Sequence, residues 1–259
     1  MNSLQRLLTV TSSVAASSLA GWRGTACFRP AEKAPQHMLV LYEFEACPYC
    51  RLVRETLTEL DLDAEIRPCP RGGRRFRPEA QKLTGKMQFP LLVDPNTGTV
   101  IQDSREIVAY LYATYCDGRQ PRYPLGAGAA VLRAQLGTLA RPLRGLQASA
   151  QGADAPNQPL ELYSFESSPY SRLVREKLSE LELPYILRNT GKAKWQDMGT
   201  PAFRDRMFPG QPVNGRNRKQ LLERTGQIQV PYLIDPNTET AMFESADICA
   251  YLDQQYGRD

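Results

Sequence analysis

A twenty-residue stretch that occurs twice decides the fold. Residues 41–60 read LYEFEACPYCRLVRETLTEL, and residues 162–181 read LYSFESSPYSRLVREKLSEL. A second block, GKMQFPLLVDPNTGTVIQDSREIVAYL from Gly85, recurs from Gly226 as GQIQVPYLIDPNTETAMFESADICAYL. More than half of the positions in these blocks are identical, so the chain is a tandem duplication.

The composition of the chain is that of an ordinary globular protein. Of its 259 residues, 42% are hydrophobic and 23% are charged, which argues against disorder. Each half of the chain has two more basic than acidic residues, so no basic domain predicts a nucleic-acid partner. No stretch has the roughly 18 consecutive apolar residues of a membrane span. The single histidine, His37, excludes every two-histidine metal site.

The pattern of the first copy predicts the order β-α-β-α-β-β-α. The predicted strands are 38–44, 64–67, 91–94 and 99–101, and the predicted helices are 48–60, 78–84 and 104–115. The first strand, helix and second strand make a βαβ unit, whose two strands are expected to run parallel. The second copy repeats this order over residues 160–256.

The helix over 48–60 shows a helical spacing of apolar residues. Leu52, Val53, Leu57 and Leu60 are expected to lie in the core. On the same pattern, four charged residues are expected to face water: Arg51, Arg54, Glu55 and Glu59.

The segment before each copy lacks acidic residues. Residues 1–31 and 121–153 contain no Asp or Glu, and Arg23-Gly24 recurs as Arg144-Gly145. We interpret both segments as helical lead-ins rather than as a removable transit peptide, because an internal copy cannot be a cleaved signal. This predicts a cytoplasmic protein; an organelle is the alternative if residues 1–31 are a transit peptide.

These observations predict the domain organisation. The expected parts are a lead-in over 1–37, a domain over 38–118, a linker over 119–159 with a helix near 127–141, and a second domain over 160–259.

Cys47, Pro48, Tyr49 and Cys50 lie where the first strand meets the first helix. A C-x-x-C beside a βαβ unit is typical of a thiol–disulfide redox site. Free amides and the helix dipole at a helix N-terminus favour the thiolate of the first cysteine. Cys47 is thus the expected nucleophile and Cys50 the resolving thiol. Half of a zinc site is the alternative, but the other four cysteines form no second C-x-x-C, so we expect no metal.

With these residues the first copy resembles a glutaredoxin, or the N-terminal glutathione-binding domain of a glutathione transferase, within the thioredoxin superfamily. The resemblance rests on the CPYC motif, Pro90 and the Asp103-Ser104 pair. It covers residues 38–116 and, more loosely, 160–256. It implies an α/β fold with two tandem thioredoxin-like domains, each preceded by its helical lead-in.

The resemblance also implies a glutathione site. Pro90 would be cis, and the backbone of Phe89 would pair with the cysteinyl part of glutathione. Asp103 and Ser104 would hold the γ-glutamyl end, with Pro48 and Tyr49 beside the thiols. Ser104 is also expected to cap the last helix.

The second copy departs from the pattern at the thiols. Ser168 and Ser171 replace the cysteines, so dithiol exchange is impossible there. The residues that could still form a ligand site for glutathione or a peptide are Ser168, Tyr170, Ser171, Val230, Pro231, Glu244 and Ser245. We favour a degenerate, binding-only domain over one in which Ser168 activates glutathione.

Two further departures concern the first copy. The all-helical second domain of glutathione transferases is missing. Glu43 and Glu45 precede the cysteines, where glutaredoxins often have a basic residue, and an inward-pointing acid would raise the pKa of a thiol.

Two other regions leave alternatives open. Five arginines surround Cys69, and we favour a solvated loop over a docking patch for glutathione or an acidic partner. They are Arg67, Arg71, Arg74, Arg75 and Arg77. Cys69 itself is expected to be a buried bystander rather than a third redox thiol. The insertion at 190–219, with Trp195, Phe203, Met207 and Phe208, could cover the second ligand cleft or pack the domains together.

The sequence and the resemblance together predict a glutathione-dependent thiol–disulfide oxidoreductase, with glutathione as cosubstrate and protein or small-molecule disulfides as partners. Two alternatives are a glutathione transferase-like conjugating enzyme and a non-enzymatic module that binds glutathione or a partner.

Overall fold

The strands of the two copies join in one sheet. The computed structural model describes residues 3–121, 126–141, 144–149 and 155–257. The first half forms α1 (Ser3–Leu19), β1 (Leu39–Glu43), α2 (Pro48–Glu59), β2 (Ala64–Pro68), α3 (Arg77–Thr84), β3 (Leu91–Asp94), β4 (Thr99–Gln102) and α4 (Ser104–Tyr115). The second half forms α5 (Gly126–Leu139), β5 (Leu160–Ser164), α6 (Pro169–Glu180), β6 (Tyr185–Asn189), α7 (Pro201–Met207), α8 (Arg216–Thr225), β7 (Tyr232–Asp235), β8 (Thr240–Phe243) and α9 (Ser245–Tyr256). The predicted order of elements is confirmed in the first copy; the second copy has the same order with one additional helix, α7, within the insertion.

The sheet has an approximate two-fold symmetry. Within the described residues its strand order is β4-β3-β1-β2-β6-β5-β7-β8, and β1 and β2 run parallel as predicted. The copies meet where β2 and β6 pair antiparallel, with Glu65 opposite Ile186. These two residues hold the same position in their copies, so the approximate axis passes between them.

Helices cover both faces of the sheet. The larger core lies beneath α2, α4, α6 and α9, and it includes the predicted apolar residues Val53, Leu57 and Leu60. Smaller clusters lie beneath α3, around Ala80, and beneath α8, around Leu221. This is the layered arrangement expected of an α/β domain. None of the described helices is long and apolar enough to cross a membrane.

Each lead-in docks on the opposite copy. Helix α1 packs on α6, α5 packs on α2, and the two lead-in helices contact each other. After α1, Ala26 forms a bridge with Lys192 of the second copy, and Gln147 forms the equivalent bridge with Arg71 of the first. The lead-ins therefore cross over and tie the two copies together. The predicted helix near 127–141 is confirmed.

The charged side chains of α2 that were expected to face water are largely buried. Arg51 is 3% exposed, and Arg54 and Glu55 are each 1% exposed, whereas Glu59 is partly exposed. The prediction was wrong for the first three because α5 and the second copy cover this side of α2. A helix in a single free domain would leave it to solvent.

The C-terminal part of the 190–219 insertion contacts the first copy. Arg216 donates to both carboxylate oxygens of Asp63, at 2.9 and 3.0 Å, and Asn217 donates to the same residue at 2.8 Å. These bonds support the alternative in which the insertion packs the copies together. Trp195 and Phe203 remain exposed.

A buried aspartate closes each hairpin. Asp94 Oδ1 accepts from the backbone N–H of Asn96 at 2.8 Å, and its Oδ2 accepts from the Tyr110 hydroxyl at 2.7 Å. Burial alone would raise the pKa of Asp94, but hydrogen bonds from Tyr115, Tyr110 and Asn96 lower it below its usual value. Asp235 has the equivalent bonds and a lowered pKa.

These pKa shifts predict acid sensitivity. A carboxyl whose folded pKa is depressed stabilises the fold above its unfolded pKa, near 4, and this stabilisation is lost as the pH falls through the folded value. Asp94→Asn with Asp235→Asn should lower the free energy of unfolding at pH 7 by about 1.5–3 kcal/mol per site. In urea titrations, the free energy of unfolding of this double variant should fall less between pH 7 and pH 3 than that of the wild type. An equal fall in the two proteins would contradict this assignment.

Candidate active site

The register of the sheet brings the three predicted site segments together at the same end of three neighbouring strands, β1, β3 and β4. Leu91 of β3 pairs with Tyr42 of β1 on one side and with Gln102 of β4 on the other. The CPYC motif follows β1, Pro90 immediately precedes β3, and Asp103 follows β4. The equivalent register in the second copy is Tyr163, Tyr232 and Phe243.

Cys47 is the N-cap residue of α2, with Pro48 in the first turn. Its Sγ accepts the backbone N–H of Cys50 at 3.4 Å, and the residue is 5% exposed. The Cys50 thiol lowers the pKa of Cys47 by hydrogen bonding; burial opposes this, while the amides of Cys50 and Tyr49 and the charge of Arg54 reinforce it. The environment therefore favours a thiolate at Cys47.

Cys50 has the opposite environment. It is fully buried, and burial together with the hydrogen bond to Cys47 raises its pKa well above that of a free thiol. The two pKa values are thus shifted in opposite directions, which is the division that suits a nucleophile and a resolving cysteine. Tyr49, between them, is 44% exposed.

The acids that precede the motif point inward, but arginines neutralise them. Glu43 is 1% exposed and forms a short ion pair with Arg54, and Glu45 binds Arg175 at 2.9 Å. Burial raises the pKa of Glu43, and the charge of Arg54 opposes this shift. The positive charge near Cys47 is supplied by Arg54, one turn beyond Cys50.

Arg54 belongs to a buried ion-pair network that joins the copies. Its Nε lies 2.9 Å from Glu166 Oε2 of the second copy, and Arg175 Nη2 lies 3.1 Å from the same oxygen. Burial alone would raise the pKa of Glu166, but Arg175 and Arg54 lower it to about 2. We did not predict this network. The sequence feature that could have indicated this network is the repeat, in which Arg54 and Glu45 recur as Arg175 and Glu166.

The Phe89-Pro90 peptide bond is cis, as the resemblance implied. The Phe89 ring packs edge-on against Phe44, with ring centroids 6.3 Å apart. The guanidinium of Arg77 lies 5.1 Å from the centroid of the same ring. These contacts place Phe89 beside the loop that leads to Cys47.

The cap of α4 is not Ser104, as we expected, but Asp103. The Asp103 carboxylate accepts from the backbone N–H of Arg105 at 2.8 Å and of Glu106 at 3.4 Å. Ser104 is the first helical residue and is buried. The backbone turn at Asp103, with a φ of 96°, aims the aspartate rather than the serine at the free amides. The Asp103 side chain thus already binds two of the free amides at this helix N-terminus.

The second copy retains the same layout without thiols. Ser168 caps α6 by accepting the N–H of Ser171 at 3.2 Å, as Cys47 does in α2. The Val230-Pro231 bond is also cis. Tyr170 is half exposed, whereas Ser168 and Ser171 are buried.

The remaining predicted positions of the second copy lie after β8. Glu244 accepts from the side-chain amide of Gln229 at 2.6 Å instead of capping α9, and Ser245 begins that helix. Helix α1 packs on α6, with Ser13 donating to the carbonyl of Pro169 at 2.7 Å. The first turn of α6 is therefore partly covered by the lead-in.

The arginine cluster is not a freely solvated loop. Arg71 pairs with the second lead-in, and the backbone amides of Arg74 and Arg75 both donate to Glu182 of the second copy at 3.0 Å. Arg67 binds Glu65 and Glu79. Cys69 is fully buried and burial raises its pKa, which favours a structural cysteine.

The comparisons with known proteins agree with this geometry. Residues 41–119 and 162–259 each match the family model of the glutathione S-transferase N-terminal domain. The chain belongs to this family. Its two copies are therefore tandem thioredoxin-like domains of the glutathione S-transferase N-terminal type, as the sequence predicted.

The chain is also similar to part of a solved glutathione transferase structure. A Bombyx mori glutathione transferase, BmGSTD1, is 28% identical, and the match covers 36% of this chain and 43% of that transferase with a TM-score of 0.31. The match thus spans less than half of that transferase. No curated protein matches the chain.

Proposed function

We propose that the protein is a glutathione-dependent thiol–disulfide oxidoreductase in which Cys47 is the nucleophile. The observation that carries the proposal is the division of the pair: a lowered pKa at the capping Cys47 and a raised pKa at the buried Cys50. Family membership supports glutathione as the cosubstrate. The recurrence of the lead-in inside the chain supports our proposal of a cytoplasmic setting, because an internal copy cannot be a cleaved signal.

The reaction follows from this division. The Cys47 thiolate attacks a glutathionylated thiol or a disulfide, forms a mixed disulfide, and expels a thiolate that takes a proton from water. Cys50 then loses its proton, attacks Cys47 and releases the second thiol, leaving a Cys47–Cys50 disulfide. Two molecules of glutathione reduce this disulfide and become glutathione disulfide. Alternatively, one glutathione attacks the mixed disulfide directly.

We propose that glutathione lies across the ends of β1, β3 and β4, where the CPYC motif, Phe89-Pro90 and Asp103-Ser104 come together. The backbone of Phe89, before Pro90, would pair with its cysteinyl part. Asp103 would accept from the γ-glutamyl ammonium group and Ser104 would bind the γ-glutamyl carboxylate. Pro48 and Tyr49 would border the thiols. The second domain would bind glutathione or a peptide without redox chemistry.

Family membership also favours a second candidate. A glutathione transferase would use the same strand ends to bind glutathione and activate its thiol for attack on an electrophile. In that case Ser168 of the second copy, at the position of Cys47, could be an activating hydroxyl.

A glutathione-coupled assay on two serine variants separates the candidates. Cys47→Ser should lower disulfide reduction by at least about a thousandfold, because no other nucleophile stands at the helix N-terminus. Cys50→Ser, the matched control, should still deglutathionylate a peptide, because glutathione can resolve the mixed disulfide. The wild-type rate should rise with pH and level off below the ordinary thiol pKa of about 8.5. Electrophile conjugation that survives Cys47→Ser, with no reductase activity in the wild type, would favour the transferase.

A further inference from the structure

The two lead-in helices, α1 and α5, bury small residues and expose large apolar ones. Helix α1 buries small residues, with Ser13, Ala16 and Ser17 fully inaccessible. It exposes large apolar side chains instead, namely Leu7, Leu8, Val14 and Leu19 at 63%, 60%, 37% and 49%. An amphipathic helix of a globular protein normally turns its large apolar residues toward the core.

Helix α5 repeats the inversion. Ala130, Ala134 and Gly137 face inward, at the spacing i, i+4 and i+7. On the opposite side, at the same spacing, the exposed side chains are Leu132, Leu136 and Leu139 at 57%, 41% and 71%. Small inward residues let α1, α5 and the helices beneath them approach closely, so the leucines are left outside.

The two exposed faces form one surface. Helices α1 and α5 contact each other and lie on α6 and α2, so they make a third layer outside the sheet and its helices. We call the seven exposed aliphatic residues of these helices the outer apolar face. Trp22, which follows α1, is also 44% exposed. A cluster of exposed apolar side chains of this kind favours an interaction site in a folded protein.

The charge of the lead-in segments favours an anionic partner. Residues 1–31 and 121–153 contain seven arginines and no acidic residue, whereas the rest of the chain has 25 basic and 28 acidic residues. Arg6, Arg29 and Arg144 are exposed. Three other arginines of these segments, Arg23, Arg133 and Arg141, form ion pairs with glutamates of the two copies, so among the described residues the free positive charge of the lead-in layer comes from the exposed arginines. A second copy would bring two acid-free cationic layers together, which like-charge repulsion opposes.

We propose that the outer apolar face docks on the surface of an anionic lipid bilayer. The leucines would enter the boundary between headgroups and acyl chains, and the arginines would lie among the lipid phosphates. Trp22 suits the interface because an indole ring has an apolar body and a polar N–H. The helices lie in the plane of the membrane and do not cross it. The CPYC motif lies at the junction of β1 and α2, where Tyr49 is exposed.

Vesicle flotation with the full chain tests the proposal. We expect binding to vesicles of equal parts phosphatidylcholine and phosphatidylserine, and much weaker binding to phosphatidylcholine alone or at high salt. Leu132→Ser, Leu136→Ser and Leu139→Ser combined should lower the vesicle affinity by about tenfold or more. The matched control is Leu83→Ser, an equally exposed leucine on α3 at the other face of the sheet, which should bind like the wild type.

Two further readouts keep the result decisive if the triple variant folds poorly. Trp195→Phe leaves Trp22 as the only tryptophan, and its emission should shift to the blue on anionic vesicles. Arg6→Glu should weaken binding several-fold without altering any apolar contact. No binding of the wild type to anionic vesicles overturns the proposal. So does a dimer, detected by light scattering, that the triple leucine variant abolishes, because a second copy would then be the occupant.

Discussion

Replacing Arg54 by alanine is expected to lower the free energy of unfolding by about 3–5 kcal/mol. Arg54 is 1% exposed and binds Glu43 of its own copy and Glu166 of the other. Its removal leaves the ionised Glu166 buried with one fewer counter-charge, and an uncompensated buried charge is costly. Urea denaturation followed by circular dichroism would measure the change.

The control for Arg54→Ala is an ion pair outside the network. Lys177 binds Asp253 at 2.8 Å, with the aspartate more than half exposed. Because solvent screens such pairs, Lys177→Ala should change stability by only a few tenths of a kcal/mol. A loss in Arg54→Ala no greater than in Lys177→Ala would contradict a structural role for the network.

The second large effect is expected at Gly24, where the first lead-in meets the second copy. Gly24 has a φ of 71°, and a Cβ there would lie 2.6 Å from Glu166 Cβ and 3.2 Å from Glu55 Cα. The Glu166 side chain is held by two arginines and cannot move away easily. Gly24→Ala should therefore cost about 2–4 kcal/mol, from backbone strain and overpacking together.

Gly98 offers a matched control that separates the cost of backbone strain from the cost of overpacking. Its φ of 69° is nearly the same, but nothing lies within 4 Å of a Cβ built there. Gly98→Ala should show the strain alone, about 1 kcal/mol. Equal losses at the two glycines, measured by thermal or urea unfolding, would show that the lead-in does not pack closely against Glu166.

Much of the fold could be predicted because the repeat and the local patterns agree. The βαβ unit, the Asp-Pro-Asn-Thr hairpins and the helix that begins at Ser104 all follow from residues close in the sequence. What could not be predicted involves residues more than a hundred positions apart. The pairing of Glu65 with Ile186 joins the copies through strand edges, and strand edges have no strong sequence signal.

The same distinction applies to the candidate site. The position of Cys47 at a helix start follows from the strand, Pro48 and the helical spacing, so its lowered pKa could be anticipated. The contribution of Arg54 could not, because on α2 alone this residue belongs to the side that faces water. Only the second copy and the crossed lead-ins convert that side into an interior, where Glu166 can bind Arg54.

The two copies differ in their thiols but share the same framework. Both retain the helix cap, the cis proline and the acidic residue before the last helix, but only the first retains the thiols. The second copy contributes Glu166 and Arg175 to the interior behind Cys47. Its structural role is therefore clear even without redox chemistry.

The most direct test of the proposed chemistry is to trap the intermediate on Cys47. We would treat reduced Cys50→Ser with glutathione disulfide and identify the modified residue by peptide mass spectrometry. We expect one glutathionyl group on Cys47, formed faster than on any of the four other cysteines, because burial raises the pKa of each of those thiols. Modification elsewhere with Cys47 unmodified, or no modification at all, would contradict it.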